Sequence, residues 1–255
     1  MSATAEPIAI LYGDEHYVVV DKPAGLLVHR TAVDARERHS LLQALRNQIG
    51  CRVYPIHRLD KATSGAVVFA LHGDAANRLS RAFREERIDK RYVAVVRGWA
   101  PEQAVVDWPL RDPVDPRAQP RRAEPRPAVT ELRRLALVEL PVAVGRYATA
   151  RYSLVASRPR SGRQHQIRRH LKHLRHPVIG DANYGDLAHN RFFRNTLGVG
   201  RLLLAATAIG FEHPYTGLAV RVRAPLDDSF RRVVQELGWQ APTGDDDAAE
   251  FLARP

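Results

Sequence analysis

The sequence predicts an α/β fold. Runs of β-branched and aromatic residues of strand length alternate with segments whose apolar residues recur at helical spacing, and turn or capping residues stand between them. The 255 residues, 45% of them hydrophobic, suffice for one large domain or two small ones. Because we find no internal repeat and no domain linker, we expect one domain over residues 1–238. The acidic tail over residues 239–255 is expected to be disordered.

The amino-terminal elements follow from local patterns. Residues 8–12 and 17–21 predict two short strands joined by a polar connection. Ser40 is a suitable cap for a helix whose leucines recur at helical spacing, and Gly50 ends it. The run Ala66–Ala70 has the β-branched content of a buried strand.

The later elements continue the alternation of strand and helix. Asp74 is expected to cap a helix that turns Leu79 and Phe83 inward. The remaining predicted elements are strands over residues 90–97, 128–135, 151–156, 201–208 and 218–222, and a last helix over 227–237.

The segment Pro109–Pro127 holds six prolines and five arginines. Such a composition supports neither a regular helix nor a central strand, so an extended surface loop is expected. The arginines can serve a plain connector, in which they only keep the loop solvated, or they can contact RNA.

The charge of the chain favours a polyanionic partner. The formal net charge is +11, and the stretch from Leu140 to Gly180 contains nine Arg and Lys residues but no Asp or Glu. Binding of phosphates to such a patch is favourable because it releases their counterions, so nucleic acid is the simplest partner. The alternative is that the arginines only reflect composition and solubility.

Several classes of protein are disfavoured. Cys51 is the only cysteine, so neither an internal disulfide nor a thiolate metal cage is possible. The first residues do not have the pattern of a signal peptide, and no apolar run is long enough to span a membrane. We therefore expect a soluble cytoplasmic protein without a membrane partner.

The most informative segment is His57–Gly65, with the sequence HRLDKATSG. It places one carboxylate, Asp60, beside cations at the point where a polar turn opens into the predicted strand Ala66–Ala70. A carboxylate that is held rigidly beside cations is suited to catalysis. Charged groups in such surroundings mark functional sites in some proteins and structural ion pairs in others. The alternative is an ordinary surface ion pair between Arg58 and Asp60.

A second segment, Gly162–Leu174, predicts a basic helix. Its apolar stripe consists of Ile167, Leu171 and Leu174, and one basic residue is expected to face inward. The histidines at 170, 173 and 176 are spaced as helix neighbours, but the surrounding cations disfavour a metal ion. We expect these histidines to be solvated or to contact phosphate. The glycines near residue 200 lack the context of a dinucleotide site.

Four motifs in this order resemble those of RluA-type pseudouridine synthases. They are HRLD with TSG at 57–65, KRY at 90–92, GRQHQIR at 162–168 and GDANYG at 180–185. The resemblance covers most of residues 8–237 and implies a pseudouridine synthase fold, with a mixed, largely antiparallel sheet flanked by helices and a basic catalytic cleft. Further segments, such as LVHR at 27–30 and RHLKHLRHP at 169–177, are similar to a branch that modifies uridine 65 of tRNA.

The resemblance implies isomerisation of a uridine already in RNA, after the nucleotide has been flipped into a pocket. Asp60 matches the essential carboxylate, acting either as nucleophile at C1′ or as base at C2′. Tyr92 matches the tyrosine that stacks on the uracil and assists in removing the C5 proton. Arg168 matches the basic residue that pairs with the carboxylate and keeps it ionised. Arg58 matches the arginine that occupies the space left by the base.

The same motifs imply a wider set of RNA contacts, and the resemblance implies no metal, nucleotide or redox cofactor and no obligate protein partner. The residues expected to contact RNA are His57, Arg58, Lys61, Thr63, Arg163, His165, Gln166, Arg169 and Lys172. The same chemistry on 23S rRNA or on the anticodon stem of tRNA remains open, as does a non-catalytic RNA-binding protein.

Two positions depart from the family pattern. Ala205 stands where relatives usually have histidine, which can alter affinity or rate if that histidine braces the pocket. Lys61 stands where relatives often have arginine, which keeps the charge but loses bidentate geometry. Neither change removes a residue that the resemblance makes catalytic.

Overall fold

The structure is a computed structural model, and it describes residues 7–29, 39–111 and 124–240. Within these ranges it has ten strands and five helices. The strands are β1 Ile10–Gly13, β2 Tyr17–Lys22, β3 Tyr54–Pro55, β4 Ser64–Ala70, β5 Asp89–Arg97, β6 Gln103–Asp107, β7 Val129–Leu140, β8 Ala150–Pro159, β9 Leu204–Glu212 and β10 Ala219–Arg223. The helices are α1 Leu41–Ile49, α2 Gly73–Arg84, α3 Gln166–His173, α4 Leu187–Thr196 and α5 Asp228–Glu236.

The chain divides into two compact units. The first consists of Met1–Lys90 with Ala205–Asp227, and the second of Arg91–Leu204 with Asp228–Pro255. Each unit is therefore discontinuous in sequence.

In the first unit, the strands pair in the order β1, β2, β4 and β9, while β10 also pairs with β9 and β3 with β4. Only β4 and β9 run parallel, and the other pairs are antiparallel. The core packs α2 against the sheet through Leu79, which is fully buried with Tyr17 and Val68. This core holds the chain on both sides of the Asp60 turn.

In the second unit, the strands pair in the order β5, β8, β7 and β6, all antiparallel. Tyr152 of β8 lies at the centre, with its ring edge-on to Phe193 of α4 at a centroid distance of 4.9 Å. Phe230 of α5 is also fully buried. Helix α3 follows β8 and carries the GRQHQIR motif.

Most predicted elements are confirmed. Helix α1 has the expected Ser40 cap, whose hydroxyl accepts from the backbone N–H of Gln43, and Gly50 ends it with a φ of 74°. The mixed, largely antiparallel α+β architecture is also as expected.

The structure differs from the predicted elements at four places. His72 caps α2, not Asp74, which lies in the first turn and pairs with Arg78 at 2.8 Å. Strands β3 and β6 and helix α4 were not predicted from the sequence. Helix α4 lacks a strong apolar stripe, and Asp186 caps it by accepting from two backbone N–H groups.

Two predicted segments lie largely or wholly outside the described residues. They are the central part of the proline-rich loop, residues 112–123, and the tail from residue 241 onward. Trp239, which the prediction placed in the tail, is buried.

Candidate active site

Asp60 lies on a tight turn between a buried residue and a buried strand. The backbone N–H of Thr63 donates to the carbonyl of Asp60 at 3.0 Å, and β4 begins at Ser64. Leu59, just before the turn, is also buried. A short hydrogen-bonded turn with both ends anchored allows little motion, so the backbone that carries Asp60 is rigid.

A buried lysine fixes this turn from below. Lys22 is fully buried, and its ammonium donates to the carbonyls of Pro23, Leu26 and Lys61 at 2.8, 2.7 and 3.1 Å. The N–H of Gly25 donates to the same Lys61 carbonyl at 2.8 Å. Burying a charge is tolerated only when it is well hydrogen-bonded, and here the loop carbonyls meet that need. The KPAG segment thus organises the Asp60 loop.

Gly65 is required by the approach of two strands. Its φ is 111°, and an added Cβ would lie 2.1 Å from the carbonyl oxygen of Ala206. Ser64 and Gly65 pair in parallel with Ala205 and Ala206. The TSG part of the motif therefore has a structural reason, and Ala205 is the buried neighbour of Ser64.

Two residues expected to contact RNA have structural roles instead. His57 accepts the backbone N–H of Val68 at 3.1 Å on Nε2 and stacks on Phe83 at a centroid distance of 4.8 Å. Burial, with a smaller contribution from the charge of Lys90, lowers the pKa of His57 to about 3. It is therefore uncharged at neutral pH and poorly suited to a phosphate. Thr63 is buried, which corrects the expectation for it as well.

The inward-facing basic residue predicted for α3 is Arg168. Its guanidinium forms two hydrogen bonds with the carboxylate of Asp181, with Nε to Oδ2 at 2.7 Å and Nη2 to Oδ1 at 2.8 Å. Both side chains are buried, with exposures of 8% and 0%. Sequence reasoning missed this partner, although Asp181 stands inside the quoted GDANYG motif. The expected pairing of Arg168 with Asp60 stays a prediction.

The pKa of Asp181 is lowered in the folded protein, which favours the ionised form of its carboxyl group. Burial alone would raise this pKa, but hydrogen bonds from Arg168 and from the backbone N–H groups of Tyr184 and Asn183, with the charge of Arg168, hold it below the ordinary carboxyl value. Asp181 thus neutralises part of the guanidinium charge and sets its orientation.

An aromatic residue completes this group. The Arg168 guanidinium carbon lies 5.2 Å from the centroid of the Tyr184 ring, within the range of a cation–π contact. The hydroxyl of Tyr184 and Nδ1 of His165 are 3.1 Å apart. His165 itself has a φ of 55° at the start of α3. The second unit therefore brings together His165, Arg168, Asp181 and Tyr184.

Gln166, predicted to contact RNA, is buried and bonded within the protein in this structure. Its Oε1 accepts from the Ser161 hydroxyl and the Arg163 N–H at 2.8 and 3.0 Å. Its Nε2 donates to the carbonyl of Val129 and the hydroxyl of Thr130. The Nε2 contacts tie α3 to β7 and the Oε1 contacts hold the loop that precedes α3, so Gln166 is a structural residue of the motif.

Tyr92 lies on β5, half-buried, opposite Ser157 of β8. Arg58, Lys61 and Lys172 are exposed, as phosphate contacts require. Arg163 and Arg169 are partly buried, and they donate to the carbonyls of Pro127 and Arg111 at 3.0 and 2.9 Å.

The three histidines considered as a metal set have separate surroundings. His170 is fully buried, which corrects the expectation of a solvated side chain, and burial lowers its pKa. His176 lies 3.0 Å from the carbonyl of Arg97 through Nδ1. In the part of the chain that the structure describes, no three His, Cys, Asp or Glu side chains are grouped to hold a metal ion.

Comparison with known proteins decides the family. The family model described as RNA pseudouridylate synthase matches residues 16–173. The chain belongs to this family. It is a pseudouridine synthase, as the four motifs indicated.

The most similar relatives cover nearly the whole chain. The chain is 46% identical over 236 residues to tRNA pseudouridine synthase C of Vibrio cholerae, covering 91% of this chain and 97% of the relative. It is 44% identical over 249 residues to the protein of the same name from Salmonella typhi, with 96% of each chain covered.

Solved structures share the fold. Human RNA pseudouridylate synthase domain containing 1 matches with a TM-score of 0.65 and 27% identity, covering 97% of this chain and all of the other. Human RNA pseudouridylate synthase domain containing 4 matches with a TM-score of 0.70 and 24% identity, covering 92% and 95%. Within the described ranges, no helix is long and apolar enough to cross a membrane.

Proposed function

We propose that this pseudouridine synthase acts on tRNA, at the uridine of position 65, and that Asp60 is its essential carboxylate. The main support for tRNA as the substrate is the similarity, along nearly the whole chain, to proteins named tRNA pseudouridine synthase C. The basic segment from Leu140 to Gly180 supports a nucleic acid substrate independently.

The reaction is an isomerisation, so its atoms balance without a co-reactant. The bond between C1′ and N1 breaks, the uracil turns, and C5 forms a bond to C1′. The proton on C5 leaves, and N1 gains one. Asp60 either adds to C1′ as N1 leaves and is displaced when C5 attacks C1′, or it removes a proton from C2′ as N1 leaves and returns that proton when C5 bonds to C1′. Both routes need an ionised carboxylate on a rigid backbone.

The supporting residues act on binding and charge. Tyr92 offers a half-buried aromatic ring, suited to stacking on a uracil. Arg168 supplies a guanidinium whose orientation Asp181 sets. Exposed Arg58 and Lys61, on the same segment as Asp60, suit contacts to the flipped nucleotide and its phosphates.

The decisive experiment maps pseudouridine in unmodified tRNA transcripts after incubation with the purified protein. We expect one modified site, at position 65, that disappears with Asp60→Ala while RNA binding persists. Modification at another uridine, in tRNA or in 23S rRNA, would overturn the assignment of position 65. If Asp60→Ala retains full activity, the role of Asp60 is wrong.

Binding is also expected to weaken steeply with salt. Each phosphate neutralised by Lys or Arg adds close to one unit to the slope of log affinity against log salt. The slope is measured by filter binding of a tRNA transcript to the Asp60→Ala protein. A flat response would show that phosphates contribute little to binding.

A further inference from the structure

A stacked pair of aromatic rings lies on the surface of the second unit, outside the group around Arg168. Trp108 and His173 stack with ring centroids 4.2 Å apart and an angle of 19° between the ring planes. Both are exposed, and Trp108 keeps 39% of its surface accessible. An exposed tryptophan does not contribute the free energy that burial of its ring would give. A surface that holds one in a fixed position is therefore a candidate binding site.

The backbone that carries Trp108 is held by a buried chain of hydrogen bonds. Nε2 of His170 lies 3.0 Å from the carbonyl oxygen of Trp108, so Nε2 carries the proton and donates. Nδ1 of His170 is then the acceptor and receives the hydroxyl proton of Thr130 at 2.9 Å. Thr130 in turn accepts from Nε2 of Gln166 at 3.0 Å. The motif residue Gln166 is thereby linked to the backbone of Trp108.

The backbone on both sides of Trp108 is also fixed. Its N–H donates to the carbonyl of Ala128 at 3.1 Å, and Leu110 exchanges two hydrogen bonds of 2.9 Å with Arg126. A ring on such a clamped segment loses little conformational freedom on binding.

Cations lie beside the ring pair on the same helix. Arg169, Lys172 and His173 are separated by three and four residues, so they share one face of α3. Arg169, which is partly buried, donates to the carbonyl of Arg111, and Arg111 is itself exposed at this surface. Since the sequence from Leu140 to Gly180 has no Asp or Glu, α3 contributes no competing carboxylate.

We propose that Trp108 and His173 form a stacking platform for an unpaired nucleotide of the RNA substrate, with Lys172, Arg169 and Arg111 contacting its phosphates. The proposal rests on RNA being the substrate and names a subsite for it. An aromatic platform with flanking cations is suited to a base and its backbone, because every base has a π-face and every phosphate a charge. The cationic surroundings disfavour a protein partner whose contact is mainly apolar.

The test measures the Kd of a tRNA transcript and of a short oligouridylate in the Asp60→Ala background, which binds without turnover. We expect Trp108→Leu and His173→Ala each to weaken tRNA binding about tenfold, the typical loss of a stacked base. We expect Lys172→Gln to reduce the salt slope by about one, and Trp108→Leu to leave the slope unchanged.

The matched control is Trp99→Leu. Trp99 is 43% exposed and lies under the guanidinium of Arg151 at 4.3 Å, but Arg151 is paired with Glu139 at 3.2 Å, so this second surface carries a carboxylate. We expect Trp99→Leu to change Kd less than about twofold, far below the loss of one stacked base. Equal losses at Trp99 and Trp108, or no loss with the two platform variants, would overturn the proposal.

Different results would refute this proposal and the proposed function. A wild-type protein that binds RNA but modifies no tRNA would refute the function and leave the platform measurable. Platform variants that bind like the parent, while the wild type modifies tRNA, would refute the platform alone. Circular dichroism and urea unfolding identify any variant that does not fold, and His173→Ala, at a solvent-exposed helix position, then tests the platform independently of Trp108.

Discussion

The turn that carries Asp60 and the helix that carries Arg168 are both held rigidly, but by different groups. The Asp60 turn is fixed through main-chain carbonyls that share the buried ammonium of Lys22. Arg168 is fixed through its own guanidinium, which is bound by the carboxylate of Asp181.

The difference concerns what each support controls. Lys22 organises the backbone around Asp60, so removing its ammonium is expected to move the Asp60 turn. Asp181 bonds to the guanidinium of Arg168 itself. Its loss is therefore expected to change both the orientation of that guanidinium and the local net charge. A mutation in either region should therefore reduce activity, but the cost in stability and the dependence on pH should differ.

The largest effect on stability is expected from Asp181→Asn. It leaves the charge of Arg168 buried without its carboxylate, and breaking a buried ion pair in this way costs about 3 to 5 kcal/mol. Urea denaturation of the two proteins measures the loss in the free energy of unfolding. The control is Asp228→Asn, which removes the exposed partner of Arg231 and should change stability little.

The acid dependence of that loss sharpens the comparison. Because the pKa of Asp181 is lowered in the folded protein, its contribution is complete above the unfolded carboxyl pKa near 4 and is lost as the pH falls through the folded value. The wild type should lose stability in acid more steeply than Asp181→Asn. Parallel acid profiles would show that the ion pair does not stabilise the fold.

A smaller loss is expected from Lys22→Met. The methionine fills similar space but leaves three buried carbonyls without their donor, which costs about 2 kcal/mol if water reaches some of them. Because the Asp60 turn shifts, kcat/KM should also fall, by roughly tenfold or more.

Lys61→Met tests whether burial, and not the loss of a lysine, causes the loss in stability. The side chain of Lys61 is exposed, so the free energy of unfolding should change by less than about 0.5 kcal/mol. Equal destabilisation by the two substitutions would contradict the role given to Lys22.

A loss of stability that depends on pH is expected from His57. Its pKa of about 3 lies below the unfolded value of about 6.5, so its stabilising contribution is present above pH 6.5 and is lost as the pH falls toward 3. Unfolding curves at pH 7, 6, 5 and 4 should show a steeper decline for the wild type than for His57→Gln.

Local patterns predicted much of the fold. Helix α1 with its Ser40 cap and Gly50 terminus, and the strands β2 and β4, depend on residues adjacent in sequence. The cap of α2 was predicted wrongly because Asp74 is a better capping residue than His72 by type. In the structure Asp74 instead lies in the first turn of α2, where it pairs with Arg78 and accepts from the Tyr215 hydroxyl at 2.6 Å.

Among the predicted RNA contacts, the sequence could not separate exposed from structural residues. Gln166 and His57 are polar and stand in the same motifs as Arg169 and Arg58. Only packing shows that Gln166 bonds to β7 and that His57 receives the N–H of Val68. Polarity alone does not tell whether a hydrogen-bond partner is water, a phosphate or a neighbouring strand.

By itself, the sequence determined the class of fold and the family, and it singled out the segment proposed to carry the reactive carboxylate, because these are encoded in contiguous motifs and short-range periodicity. Only the tertiary structure decided that Lys22 meets the carbonyl of Lys61, that Asp181 meets Arg168 and that Trp108 stacks on His173. Those contacts join residues distant along the chain. For the first two, burial selects the partners, because an enclosed charge or carbonyl without a hydrogen bond is costly.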